Sequence, residues 1–238
     1  MLGDRAGRVR EWAEQCDLMF RSMLERICAL APLLTFAALL RQLWRGTFAS
    51  LLPLWKPLAL FVLGGFAIVA VKLLVTSLMS GISAKQLVRD LTPTFLLALL
   101  TASSAAAFGK TMDNCEKQLK LPHSHVLLGL PIGVFLCRPA AALAFVTAAL
   151  YLAESCGAAV DLGWLAMLIL LSALLSMTMP PVPGALLPCF SLLMRQLELP
   201  TEGFAAMVLL NIFFDAAVTA YGAAYLQLEL ATQAKTIE

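Results

Sequence analysis

Three charged side chains interrupt long apolar runs, and their surroundings define the chemistry open to them. Asp215 is the only acidic residue deep inside a predicted membrane-crossing segment, while Arg138 and Lys72 lie within two others. A charge held in hydrocarbon is costly, so each should face a partner or a cavity rather than lipid. Asp215 is therefore either a functional carboxylate or a hydrogen-bonded structural one, and Arg138 is its natural ion-pair partner. Lys72 reads as a snorkelling or cavity-facing lysine, or as a charge relay. Ser103 and Ser104 can offer hydroxyls to a ligand; as small residues they equally permit close helix approach. Catalysis has no support, because no nucleophile–base set, phosphate loop or metal constellation is visible. The six cysteines (Cys16, Cys28, Cys115, Cys137, Cys156 and Cys189) lack metal-ligand spacing, and His123 and His125 share a polar turn unlike a zinc motif. The chemistry expected is binding, with no metal and no cofactor.

Positioning these residues falls to a chain built for lipid. Of 238 residues, 61% are hydrophobic and 13% charged, and the mean hydropathy is +0.85. Soluble domains are about 45–50% apolar and about 25% charged. The apolar set is rich in Leu and Ala, which suits helices rather than the alternating strands of a barrel. A net charge of +2 gives no electrostatic footprint for nucleic acid. The charged opening, residues 1–26, shows no cleavable signal and predicts a cytoplasmic segment. Insertion through the first span is expected, as in proteins of the bacterial inner (plasma) membrane.

Four runs are long enough to span: 27–43, 57–80, 126–152 and 204–228. The first is flanked by Arg26 and Arg41, and Trp44 and Trp55 bracket the next connection as interface anchors. Two further runs are broken. Residues 87–100 are apolar, Thr101–Gly109 (TASSAAAFG) intervenes, and an amphipathic piece continues to 121. Residues 162–177 are apolar, Thr178–Gly184 (TMPPVPG) intervenes, and 185–197 follows. Pro180, Pro181 and Pro183 cannot lie in an uninterrupted helix. Unpaired backbone at membrane depth must be buried in protein or line a cavity, so both runs predict re-entrant hairpins. Hairpin plus span at 87–152 is then repeated at 160–228, with 27–80 ahead of the pair and a tail at 229–238. Inverted repeats would point the two tips at each other. With the N-terminus inside, Arg5, Arg8, Arg10, Arg21, Arg26, Lys85, Arg89, Lys110, Lys117, Lys120 and Lys235 fall inside. Only Arg41, Arg45, Lys56 and Arg195 fall outside, the bias that sets orientation.

The two tips carry a resemblance. TASSAAAFGKTM (Thr101–Met112) resembles the serine-rich hairpin tip of the dicarboxylate/amino acid:cation symporters, the glutamate-transporter family. MPPVPG (Met179–Gly184) is similar to its second tip, GLPIG (Gly129–Gly133) to the start of its intervening span, and ALAPLLTFAAL (Ala29–Leu39) to an upstream segment. The resemblance implies an all-α integral membrane protein of about four transmembrane helices plus two re-entrant helical hairpins. It runs from about residue 18 to about residue 230 and covers the last four spans and both hairpins of that fold. A homotrimer, or a partner supplying scaffold helices, is implied for the rest, and the lipid bilayer and a small organic solute are the other partners.

The resemblance also assigns residues. Thr101, Ser103, Ser104, Val182, Pro183, Gly184 and Asp215 fall at substrate-facing positions, Asp215 where the family contacts a substrate amino group. The family's unwound N-M-D-G-T stretch, which carries Na+-coordinating carbonyls, becomes Cys137, Arg138, Pro139, Ala140 and Ala141. Its last-span pattern becomes Asn211, Asp215, Val218, Gly222 and Leu226. Val218 replaces the arginine that binds the substrate carboxylate, and Gly222 and Leu226 replace coupling-ion positions. An Arg138–Asp215 pair would then stand in for the ion site. The implied function is a secondary active symporter of a small organic solute, such as an amino acid or dicarboxylate, with a degraded ion and carboxylate site. Na+ or H+ is the implied coupling ion, although the family's Na+ ligands are largely replaced. The alternative is a non-transporting relative or partner subunit that keeps the fold.

Overall fold

The computed structural model describes residues 54–181, 184–200 and 204–237, with Gln15 and Met19; side chains 204–206 and 236–237 are excepted. Residues 1–41 form a compact unit of their own, in which Gln15 and Met19 are helical. The predicted span 27–43 and its flanking Arg41 and Trp44 lie outside the described residues. The described part of the second unit is helical, without a strand, as the fold class requires. Its helices are α1 (Trp55–Ser80), α2 (Ala84–Thr101), α3 (Ser104–Lys117), α4 (His123–Leu136), α5 (Pro139–Cys156), α6 (Leu162–Thr178), α7 (Leu186–Gln196) and α8 (Phe204–Ile237).

Three stretches among the described residues are long and apolar enough to cross a bilayer: Trp55–Ser80, His123–Cys156 and Met207–Lys235. α1 rises about 39 Å, enough to cross with tilt. It turns Leu60, Leu63, Phe66, Leu74 and Leu78 outward and buries Phe61, Gly65 and Thr76. An outward apolar stripe suits contact with lipid. Gly81, at φ +69° in the left-handed region, ends the helix by donating its N–H to Ser77 O.

Side-chain pairs give the helix directions. Phe61 stacks on Phe214 at 4.3 Å, Lys72 meets Glu229, and Thr76 Oγ1 lies 2.9 Å from Thr232 Oγ1. Both numbers of each pair rise together, so α1 and α8 run parallel. Gly129 faces Leu230 whereas Gly133 faces Leu226, so α4 runs against α8. Lys56 approaches Glu154 and Gly64 faces Leu143, so α5 runs against α1. The spans therefore alternate.

Both broken runs fold back on themselves. Gln227 Nε2 donates to Thr94 Oγ1 of α2 at 2.9 Å, and Asn114 Nδ2 of α3 donates to Gln227 Oε1 at 2.7 Å. Thr94 and Asn114 flank the first break by 7 and 10 residues, which a continuous helix would separate by about 30 Å. At the second break, Trp164 Nε1 near the start of α6 donates to Leu197 O just past α7. The hairpins enter from opposite ends, because the α4–α5 span lies between them. Ala98 and Ala107 of the first pack on Ala220 of α8, while Gly184 of the second meets Asp215. Small side chains let these backbones approach closely.

Three boundaries differ from the sequence reading. The first tip is not Thr101–Gly109 but the two residues Ala102 and Ser103, because Ser103 Oγ caps α3 by accepting from Ala106 N–H and the following alanines favour helix. The span 126–152 is two helices, interrupted at Cys137 and Arg138. The segment 229–238 is not a tail: α8 continues to Ile237, since Leu228, Leu230 and Ala231 are buried and no Gly or Pro intervenes.

Gln227 is fully buried and joins both halves of the first hairpin to α8. Gln227→Leu would leave the Asn114 amide without its acceptor. A loss of about 1–2 kcal/mol is expected, seen as a lower thermal midpoint of the detergent-purified protein.

Candidate functional site

The site begins with Pro139. Its ring removes the N–H that would continue α4 into α5, and it bars the preceding residue from helical geometry. Arg138 accordingly sits at φ −122°, ψ 52°, and Cys137 at φ −96°, ψ 68°. Proline then opens α5 at its first position, where a missing donor costs nothing. The break turns Arg138 inward, to 8% exposure.

There the guanidinium lies between the two hairpins. Nη1 donates to Met179 O of the second tip at 2.7 Å, and Nη2 makes a long contact of 3.5 Å to Ser104 Oγ of the first. One side chain thus connects elements that enter from opposite ends. Asp215, also 8% exposed, accepts from Gly184 N–H of the second tip through Oδ2 at 2.6 Å. Gly184 has φ +80°, a conformation that a side chain would strain. The direct Arg138–Asp215 ion pair expected from the sequence does not form. Each charge is bonded instead to hairpin-tip backbone, Arg138 to Met179 O and Asp215 to Gly184 N–H.

The other expected site residues divide. Ser104 faces Arg138 and the cavity, whereas Ser103 is spent on capping α3. Thr101 is exposed and donates back to Leu97 O of its own helix, away from the site. Val182 and Pro183 lie outside the described residues. Asn211, one turn before Asp215, is buried with its side-chain oxygen unbonded. Lys72 has a partner that sequence reasoning missed, Glu229 of α8 at 2.6 Å. The signal available was an acidic residue one step past an apolar run that no helix breaker ends. Pro139 was the corresponding signal for the α4–α5 break.

Ser104, Thr111, Cys137, Arg138, Val218, Gly222 and Leu226 are among the residues lining a cavity of about 30 Å³. That is room on the order of one or two waters. A larger solute requires the lining to move. Val218 and Arg138 line the same cavity, so a guanidinium absent at 218 is present opposite, at 138. Arg138 can offer guanidinium N–H groups to an anion placed in that cavity.

Residues 1–224 match the family described as "SDF: Sodium:dicarboxylate symporter family". The chain is 28% identical over 157 residues to a protein of Cupriavidus necator named C4-dicarboxylate transport protein, covering 66% of this chain and 36% of that relative. The protein of the same name from Cupriavidus taiwanensis matches with the same identity and coverage. C4-dicarboxylate transport protein 1 of Ralstonia nicotianae is 30% identical over 132 residues, covering 56% of this chain and 31% of the relative. The chain spans about a third of the length of the curated relatives it matches.

Proposed function

The chain belongs to the Sodium:dicarboxylate symporter family, a family of transporters and not of enzymes, and on that premise we propose that it carries the solute-binding core of a secondary transporter for small organic anions, C4-dicarboxylates among them. The observation that carries this reading is Arg138, a buried cation between two opposed hairpin tips. In the closed form its Nη1 is occupied by a neutral carbonyl, Met179 O. A carboxylate entering between the tips would replace that contact with charge-assisted bonds, which are shorter and roughly twice as strong. Release of Met179 frees the second tip, so occupancy and gating are linked through one side chain.

The solute is read by its carboxylates more than by an amino group. Asp215, the group suited to an amine, is already bonded to Gly184 N–H. Binding of succinate is therefore expected to equal or exceed that of aspartate and glutamate. Na+ is not expected to couple. The family's ion-coordinating stretch is replaced by Cys137, Arg138, Pro139, Ala140 and Ala141, and its two late ion positions by Gly222 and Leu226, none with a side-chain oxygen. The basic residues favour a cytoplasmic N-terminus in an inner (plasma) membrane. A homotrimer, or a partner that supplies scaffold helices, is the assembly this reading expects.

The test is uptake of labelled succinate, aspartate and glutamate by proteoliposomes containing the full chain, with and without a Na+ gradient. Succinate uptake of the same rate in both conditions is expected. Uptake that requires Na+ would overturn the reading of the ion site. Absence of uptake of all three would leave a non-transporting relative that keeps the fold.

A further inference from the structure

The cavity beside Arg138 is polar at one end only. Its walls are α3, the α4–α5 break and α8, and along α3 it extends from Ser104 to Thr111, about 10 Å. At the Ser104 end stand the Arg138 guanidinium, which contacts Ser104 Oγ, and Cys137, whose thiol is a weak donor. The other end is lined by Phe108, Leu130, Val134 and Leu226, of which Leu130 and Leu226 share one buried apolar cluster. Among the described residues Thr111 is the only polar side chain at that end, and its hydroxyl already donates to Ala107 O at 2.8 Å. The backbone N–H groups there lie mid-helix and are bonded within α3, α4 and α8. Lys72, the other basic residue deep in the described spans, does not line the cavity and is held by Glu229 at 2.6 Å.

This distribution decides which anion fits. A carboxylate at the first end takes charge-assisted bonds from Arg138 and can accept from the Ser104 hydroxyl. A second carboxylate, two carbons further on, would meet neither a free donor nor a cation, and an unpaired charge in apolar surroundings is costly. An apolar tail in the same place gains about fourfold in affinity for each methylene taken from water. α8 leaves space for such a tail. Val218, Gly222 and Leu226 recur at helical spacing along the cavity, and a Cβ at Gly222 would meet nothing across it within 4 Å.

We propose that the preferred solute of this site is a short-chain monocarboxylate: one carboxylate head on Arg138 and an apolar tail of about two or three carbons, the length the cavity takes with least movement of its lining. The tail lies between Leu130, Val134 and Leu226. The inference rests on the proposed transport of small organic anions and narrows it, since C4-dicarboxylates become the weaker ligands.

Calorimetry of the full, detergent-purified chain tests it, with acetate, propionate, butyrate, valerate and succinate each corrected by a blank titration into detergent alone. Butyrate is succinate with one carboxylate replaced by a methyl group, so this pair isolates the second charge. Butyrate is expected to bind about tenfold more tightly than succinate, or better. Affinity should rise about fourfold per methylene from acetate to butyrate and gain nothing further at valerate. Succinate binding as tightly as butyrate overturns this inference and leaves the wider anion reading standing. A series without chain-length dependence overturns it in the same way. Binding of none of these anions overturns the transport reading itself, and this inference with it. Gly222→Ala locates the tail in a variant that should fold at least as well as the native chain, because alanine is the better helix former. Its methyl takes up room on the cavity face of α8, so butyrate should weaken by about fourfold or more while acetate stays within about twofold. Unchanged butyrate affinity in Gly222→Ala overturns the placement of the tail.

Discussion

Arg138→Met is expected to weaken succinate binding by about 100-fold or more, equivalent to about 3 kcal/mol, and to reduce uptake to the level of empty liposomes. Among the described residues Arg138 is the only basic side chain lining the cavity, so methionine removes both the charge and the planar donor set a carboxylate requires. The loss has a second component. Arg138 Nη1 bonds the Met179 carbonyl, so methionine also unfastens the second tip. Arg138→Lys separates the two effects: it keeps the charge but not the forked geometry, and should bind succinate more weakly than native and better than Arg138→Met. The measurement is succinate calorimetry on detergent-purified variants, with protease sensitivity of the second tip as an independent readout. Native affinity in Arg138→Met would sink the proposed site.

The second large effect concerns a residue that binds nothing. A Cβ at Gly65 would fall 2.6 and 2.7 Å from two ring carbons of Tyr221. That ring cannot swing away freely, since it packs against Phe61 and Phe95, and its hydroxyl donates to Val62 O at 3.2 Å. Phe95 belongs to the first hairpin, so a displaced Tyr221 disturbs α1, α8 and the hairpin together. Gly65→Ala should destabilise by about 1–3 kcal/mol, and Gly65→Leu should leave little folded protein to purify. Combining Gly65→Ala with Tyr221→Leu should recover much of the loss, because the smaller side chain vacates the contested space. Thermal midpoints of the single and double variants give the coupling directly. Additive losses would mean that the ring is not what restricts position 65.

Much of the fold was legible without coordinates. Apolar runs of sufficient length mark α1 and α8, and the prolines of 180–183 mark the second hairpin, since a residue without N–H cannot continue a helix. Reading Thr101–Gly109 as a nine-residue tip missed a competing local preference: Ser103 caps a helix that the alanines then favour. The break inside 126–152 falls on Cys137 and Arg138, at the start of the stretch that the resemblance aligns with an unwound segment, and Pro139 bars a continuous helix there.

Asp215, Arg138 and Lys72 were recognisable as functional candidates from cost alone, because hydrocarbon does not tolerate idle charges. Their partners were not. The sequence suggested Arg138 with Asp215, whereas the fold bonds Arg138 to Met179 and Ser104, Asp215 to Gly184, and Lys72 to Glu229. Residue type and depth are local properties, written in composition and spacing. Which charge meets which depends on how parallel and opposed helices bring positions 41, 31 and 157 residues apart into contact, and only packing decides that.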